Sequence, residues 1–475
     1  MRSEKTSQRN VRWRLPAALP EGTVRRSAGV RSSDALLNMV ALIILTYVWR
    51  MQDMIQPLAT VKFPTIIGLL ALALFALDGK RIRRFRYVNS WSMMLLVLLA
   101  VIIAAGVPFS ILPGYSFDFL IKDFLPDVLM VLVVAASVRV VRDLDRLLAV
   151  HLFGAVIYCL YALLFFGTDG TGRLGGLLYY DANDLAQTIV CTLPVAFYFL
   201  RNGSPRWQRV LALCAIPIML VNFIRAGSRG GFLGLVAVAI CVTLGYRPIK
   251  ARMRFAALVL ILGGMFIVGG EGFWTKMQTI MSPDDDYNMQ SETGRWQLWK
   301  NGMSIVRQRP AFGVGARRFP EANATLSDLA RERIELGEGL IPWQPAHNSY
   351  MSIAAETGVG GFLLFVSLLF ASLITALRFS RTKDRTPAGQ DLAAISRALA
   401  IALIGYMVSA FFLTAEYQAV LYLTIGLLLG ARKLIKSARS EAAAARVHEA
   451  MPMSPPRKRS SSGAGAARTF VEARR

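Results

Sequence analysis

Acidic residues and histidines are in short supply in this chain. Against 54 Lys and Arg stand 30 Asp and Glu, and there are three histidines, His151, His347 and His448. The four cysteines, Cys159, Cys191, Cys214 and Cys241, fall in hydrophobic stretches with no CxxC spacing. They read as small buried apolar residues and argue against a thiolate metal site. No Walker A loop, HExxH pair or GxSxG elbow occurs, so nothing points to ATP-driven work, zinc hydrolysis or a hydrolytic triad. The first 33 residues hold no apolar core, so no cleavable signal peptide is expected and the first span serves as the signal.

Apolar sequence is abundant. The chain is 54% hydrophobic over 475 residues, and crossing a bilayer by helix takes about 20 apolar residues. A dozen stretches qualify, near 35–50, 58–77, 88–107, 120–138, 147–166, 184–200, 208–224, 228–245, 254–270, 349–377, 392–414 and 417–435. The stretch 107–128, carrying Pro108, Pro113, Asp118, Asp123 and Asp127, is the weakest. The expected class is an all-α integral membrane protein with about 12 transmembrane helices.

The net charge of +24 is distributed topologically. Lys80 to Arg86, Arg201 to Arg209, Arg247 to Arg254 and Arg378 to Arg385 fill alternate short loops, as the positive-inside rule requires. Both termini are then cytoplasmic, and no nucleic-acid partner is needed. Residues 1–33 and 436–475 read as disordered basic cytoplasmic ends, the second resting on anionic headgroups. Residues 34–435 form the membrane domain. It includes one long outer loop, 271–348, with nine Lys/Arg and ten Asp/Glu.

Within that loop Ser291-Glu292-Thr293-Gly294 predicts a helix start. Trp296, Trp299, Met303 and Val306 then make one apolar stripe, suited to the membrane surface. Pro310 ends this helix, Gly313-Val314-Gly315 turns the chain, and a polar helix is expected over 321–336. Asp284-Asp285-Asp286 reads as solvated loop acids.

Outward arginines gain nothing from the topology rule. Arg225 and Arg229, in R-A-G-S-R-G-G-F, present forked donors suited to phosphate. Gly227, Gly230 and Gly231 leave N–H groups accessible at a helix start. Lipid-headgroup snorkelling is the alternative. Arg173 lies in another outer loop ahead of Tyr180, Asp181, Asn183 and Asp184, where Asn183 is a candidate helix cap or polar ligand. Arg295 opens the loop helix, and Arg317 and Arg318 follow the glycine turn. His151 borders a basic loop and His448 lies in the tail. That leaves His347 as the one outer-face imidazole, either a general base or a cap. Asn348 and Tyr350 could orient the ring or a sugar. Glu356, two turns into the next span, is costly there unless it faces a polar cavity.

The motifs S-R-G-G-F-L-G-L, G-R-W-Q-L-W-K…P-A-F-G-V-G and H-N-S-Y…E-T-G-V-G-G, in this order, resemble the O-antigen ligase and polysaccharide polymerase superfamily. The resemblance covers roughly 165–370 in motifs and the whole chain in span pattern. It implies a GT-C-like glycosyltransferase in the bacterial inner membrane, using an undecaprenyl-pyrophosphate-linked oligosaccharide at the periplasmic face. It also implies no metal and no nucleotide cofactor. The family's essential loop histidine falls on His347, and its donor-binding arginines on Arg229, Arg225 and Arg295; Arg173 and Asn183 fit its earlier loop motif. The acceptor is lipid A core for a ligase, a lipid-linked repeat for an O-antigen or exopolysaccharide polymerase, or a protein side chain. A transporter of lipid-linked glycan or small anions is the rival class, and it calls for more charge deep inside the spans than Lys62, Glu356 and Glu416 supply.

Overall fold

The computed structural model describes residues 34–55, 57, 60–77, 90–169, 172–175, 180–245, 250–281, 294–382, 384 and 386–450. Among them there are helices and no strands. The basic segments 1–33, 80–86 and 451–475 and the Asp284–Asp286 run lie outside the described residues.

Every apolar stretch read from the sequence is mainly helical over its described residues. In chain order these are α1 (Ala35–Ile43, continued as a π turn to Val48), α2 (Phe63–Leu77), α3 (Trp91–Gly106), α4 (Pro113–Phe119), α5 (Leu125–Ser137), α6 (Val141–Phe165), α7 (Ala182–Phe199), α8 (Arg206–Ala226), α9 (Arg229–Gly245) and α10 (Ala251–Gln278). Three short helices follow: α11 (Arg295–Gln308), α12 (Phe319–Leu326) and α13 (Asp328–Glu335). The last are α14 (Ser349–Ser380), α15 (Pro387–Ser409) and α16 (Ala419–Ala450). Five helical segments are long and apolar enough to cross a membrane: Trp91–Phe109, Val141–Phe165, Arg206–Ala226, Ser349–Ser380 and Pro387–Ser409. The chain is an α-helical membrane protein.

Helices α7 and α15 form the centre and are buried almost all round. Helix α3 instead turns Trp91, Val97 and Val101 outward. A helix apolar on every side belongs either in a core or against lipid, and both kinds occur here. The central helices approach closely because small residues line their contacts, a usual device where lipid removes the hydrophobic drive. A Cβ on Gly405 would lie 2.6 Å from Val238, and one on Gly234 3.0 Å from the Gly405 carbonyl oxygen.

Several local expectations change. His151 does not border a loop; it lies well inside α6, buried between Trp49 and α7. Its Nδ1 accepts from Trp49 Nε1 at 3.0 Å, and its Nε2 meets Thr192 Oγ1 at 3.0 Å. Helix α16 does not stop near 435 but runs on to Ala450, because Ser437 to Ala445 is rich in alanine, the strongest helix former. The weak stretch 107–128 becomes a 3-10 turn, α4 and a π turn, which lead into α5. The segment 321–336 breaks into α12 and α13 at Ser327, whose side chain caps α13.

The bundle has two polar ends. At one, Arg201 bonds Asp391 at 3.1 Å and lies 3.7 Å from Asp145. At the other, the starts of α7, α9, α14 and α16 meet the ends of α8, α10 and α15. Gln418 Nε2 donates to Asp184 Oδ1 at 2.6 Å, and Ser349 N donates to the Ala410 carbonyl at 2.8 Å. All the candidate site residues lie at this second end.

Candidate active site

His347 sits on a strained backbone. Its φ is 47°, a left-handed value that non-glycine residues seldom adopt and that often marks a functional site. The surroundings impose it. His347 N–H donates to Thr414 Oγ1 at 2.9 Å. Next to it, Ser349 Oγ donates to the Leu413 carbonyl at 2.7 Å and accepts from Ala415 N at 2.9 Å. From above, Trp299 of α11 donates its indole N–H to the Ala346 carbonyl at 3.2 Å. The ring is therefore placed by α11, α14 and the α15–α16 connection together.

Its charge environment favours the neutral imidazole. Burial lowers the His347 pKa most; Arg295 lowers it further, Asp181 opposes, and Arg173 lowers it again, leaving it at about 4. Three separate segments thus send a charged side chain within electrostatic reach of one ring. At neutral pH this imidazole is unprotonated and able to accept a proton.

The second group of residues is cationic. Arg173 follows a tight turn closed by the Thr168–Leu174 bridge and crosses to the end of α8. There its Nε donates to the Ala226 carbonyl at 2.9 Å and its Nη2 to Asn183 Oδ1 at 2.8 Å. Gly227, at φ 56°, closes α8 and leaves room for the Arg173 stem, 3.6 Å from where a Cβ would sit. Arg229 Nη1 donates to Thr279 Oγ1 at 2.8 Å. Lys276 enters from α10, whose outer part is redirected by Gly270 at φ 55°. Burial lowers the pKa of Arg173 and of Lys276, and repulsion from Arg229 adds to this at both. Arg173, Arg229 and Lys276 therefore lie within electrostatic range of one another, with Asp169 and Asp181 also acting on Arg173. Lys276 was absent from the sequence expectations. Only a kink at Gly270 could have announced it, and an isolated glycine in an apolar run carries that signal weakly.

Other expected site residues have structural duties. Arg225 spans back to the Phe166 carbonyl at 2.8 Å, fixing the base of the Arg173 turn. Asn348 caps α14 through Oδ1, at 2.9 and 3.0 Å from Tyr350 N and Met351 N. Tyr350 donates to the Met407 carbonyl at 2.9 Å. Asn183 is not the cap of α7; Asp181 takes that role, which frees Asn183 to hold Arg173. Gly230 and Gly231 are not an open anion nest. Both are buried, with Cβ positions 2.7 Å from Phe412 and 2.9 Å from Ala186, and Gly231 N–H already donates to Ser228 Oγ. They let α9 pack.

The loop helix α11 packs on the bundle by a face beside the expected stripe. It buries Leu298, Gly302 and Ile305 against α12 and α14, leaving Trp296 and Met303 exposed. Glu356 is a buried anchor. Its carboxylate accepts from Arg317 N at 2.6 Å, Phe319 N at 3.2 Å and Tyr417 Oη at 2.9 Å. The backbone beside it pairs with the glycine turn, Val314 N to Ala355 O at 2.9 Å and Gly315 N to Glu356 O at 3.0 Å. The P-A-F-G-V-G and E-T-G-V-G-G segments are therefore two halves of one interlock. Glu416 lies nearby, and burial and then the Glu356 carboxylate hold it above the usual carboxylate range.

Residues 214–366 match the family model described as O-Antigen ligase, in agreement with the superfamily to which the motifs point. The match takes in Arg225, Arg229, Arg295, His347 and Glu356, and stops short of Arg173 and Asn183. An uncharacterized protein of Haemophilus influenzae is 21% identical over 182 residues, 36% of this chain and 44% of that protein. The chain thus spans less than half of that relative's length.

Proposed function

We propose that this chain, with its O-antigen ligase signature, transfers glycan from an undecaprenyl-pyrophosphate-linked donor to an acceptor sugar hydroxyl at the outer face of a bacterial inner membrane. The observation that carries the reading is the meeting of one neutral imidazole with Arg173, Arg229, Arg295 and Lys276 at one end of the bundle. The end bearing His347 is then periplasmic, the loop 271–348 lies outside, and both termini are cytoplasmic, consistent with twelve spans and the placing of the basic loops.

In the reaction His347 takes the proton of the acceptor hydroxyl. The oxygen attacks the anomeric carbon with inversion, and the bond from that carbon to the pyrophosphate oxygen breaks. Undecaprenyl pyrophosphate leaves with the bonding pair. The cations stabilise the charge growing on it, which is the largest contribution in most such displacements. They also supply the counter-charge that other phosphate sites draw from a divalent ion. Arg295 and Arg173 keep the base neutral while adding to that field. Whether the acceptor is lipid A core, a second lipid-linked repeat or a protein names the enzyme ligase, polymerase or oligosaccharyltransferase.

Purified protein given lipid-linked oligosaccharide and acceptor should release undecaprenyl pyrophosphate, with EDTA making no difference. No release from correctly inserted protein contradicts the reading. Arg229→Ala should raise the donor KM by about tenfold or more, the effect of losing a charge-assisted contact to phosphate; an unchanged donor KM removes Arg229 from the donor site. The pH profile is equally specific. A base with its pKa lowered to about 4 is active when unprotonated, so kcat/KM should stay level from neutral pH down to pH 5 and fall as pH passes through 4. A fall centred near 6.5, the ordinary histidine value, would contradict the neutral environment described above.

A further inference from the structure

The connection between α15 and α16 is a strap tied down residue by residue. Ser349 Oγ donates to the Leu413 carbonyl at 2.7 Å and accepts from Ala415 N at 2.9 Å, and Thr414 Oγ1 accepts from His347 N at 2.9 Å. The carbonyls of Ala415 and Glu416 accept from Tyr406 Oη and Tyr422 Oη, each at 2.8 Å. Tyr417 Oη donates to Glu356 Oε2 at 2.9 Å, and Gln418 Nε2 to Asp184 Oδ1 at 2.6 Å. The strap thus fixes the start of α14 and, through Thr414, the backbone of the base.

The side chain of Glu416 breaks this pattern. It is 1% exposed and takes no part in the chemistry above, and its Oε2 has no hydrogen-bond partner among the described residues. Glu356 is the opposite case. Four donors converge on it, Arg317 N at 2.6 Å, Tyr417 Oη at 2.9 Å, Phe319 N at 3.2 Å and Ser352 Oγ at 3.4 Å. Ser352 also reaches toward Glu416, so the two carboxyls are close neighbours. Two like charges in one buried place cannot both form cheaply. Glu356 is the one equipped to carry charge, and Glu416 is the one that keeps a proton.

The groups facing Glu416 come from several elements. They are Glu356 and Ser352 of α14, Tyr406 of α15, Tyr417 of the strap, Tyr422 of α16 and Arg317 of the glycine turn. Asp127 of α5 faces Tyr422, and Asp184 of α7 holds the Gln418 end. Arg317 is the cation among them, and its attraction acts on Glu416 less than burial and Glu356 do.

Resting on the transferase reading, we propose that Glu416 is a positioning residue for His347 that holds the strap in place only while it carries a proton. With the proton on, the strap lies against Glu356 and Thr414 holds the base. When the proton leaves to solvent, a second negative charge faces Glu356 with no donor for its Oε2. The strap then lifts from the start of α14 and takes Thr414 from His347. A carboxyl held above its ordinary value of about 4.3 contributes stability below that value and loses it as pH rises through the folded value. The latch therefore opens on the alkaline side, opposite to the acid limb set by His347 itself.

Unfolding reads the strap without turnover, which separates this proposal from the transferase. Tm of full-length protein in detergent would be followed from pH 5.5 to 9 for wild type, E416Q and E416M, the last two neutral throughout. The wild-type Tm should fall across this range by about 3 °C or more beyond any fall in the variants. On lipid-linked oligosaccharide, wild-type kcat should drop about tenfold per pH unit on the alkaline side, with donor KM steady. E416Q should lose that limb and keep the acid limb near pH 4. A merely structural Glu416 would leave the alkaline limb in place and lower activity at every pH. Wild-type Tm and kcat that stay level over the range overturn the proposal, as does an alkaline fall of equal size in E416Q and E416M. The expected Tm difference with no turnover at any pH supports the proton-dependent strap and overturns the transferase reading instead.

Discussion

His347→Asn is expected to lower turnover of purified protein on a lipid-linked oligosaccharide by about 10²–10⁴-fold, the usual contribution of a positioned general base. Asparagine is the informative replacement. At φ 47° alanine would add left-handed strain, whereas asparagine tolerates that region and cannot accept a proton at a useful pKa. The backbone tie to Thr414 uses the residue's N–H and survives the change. Donor KM should move little, because the cations that hold pyrophosphate stay in place. A variant that is correctly inserted, thermally unchanged and fully active would remove the imidazole from the reaction.

Gly358→Ala and Gly313→Ala are expected to prevent assembly of the loop on the bundle. Gly358 has φ 73°, and a Cβ there would lie 2.5 Å from the carbonyl oxygens of Ala311 and Pro310. At Gly313, φ 67°, it would lie 2.4 Å from the Glu356 carbonyl carbon. Left-handed backbone alone costs a non-glycine residue roughly 1–2 kcal/mol. The clash adds more, since its partners are backbone and cannot rotate away. The interlock also carries the Val359 N to Pro310 O bond at 2.9 Å and the clamp of Glu356 on Arg317. Separating the halves would therefore loosen the Arg317 turn and the start of α14 together. Thermal unfolding in detergent should show a marked fall in Tm for both variants. Gly114→Ala, where a Cβ meets nothing within 4 Å, should show none. Equal Tm values across all three would contradict the interlock.

The helices were legible because apolar runs of bilayer length write themselves into composition. The placement of His347 was legible too, since a polar loop ending at Asn348 and an apolar run beginning at Ser349 leave little choice of position. What sequence could not resolve was the use to which each polar residue is put. Asn348 read as orienting the ring or a sugar and Asn183 as a cap or ligand, and only the geometry shows the first capping α14 and the second holding Arg173. The glycines after Arg229 looked like an anion nest because glycine permits both an exposed N–H and a tight helix contact. Their neighbours Phe412 and Ala186, distant in sequence, decide for packing. His151 was misplaced for a related reason: its partners, Trp49 just past the π turn that ends α1 and Thr192 on α7, are distant in sequence. Glu356 and Arg317 were noticed separately, and their pairing depends on backbone bonds that no side-chain pattern encodes.

The central proposal is that His347 and Arg229 serve one site that faces the outside of the membrane. Single cysteines at positions 347 and 229, in a background with the four native cysteines replaced by alanine, test it directly with a membrane-impermeant maleimide. Both positions should be labelled only from the periplasmic side, and undecaprenyl pyrophosphate should protect both. Labelling from opposite sides, or protection of neither, would contradict a shared site.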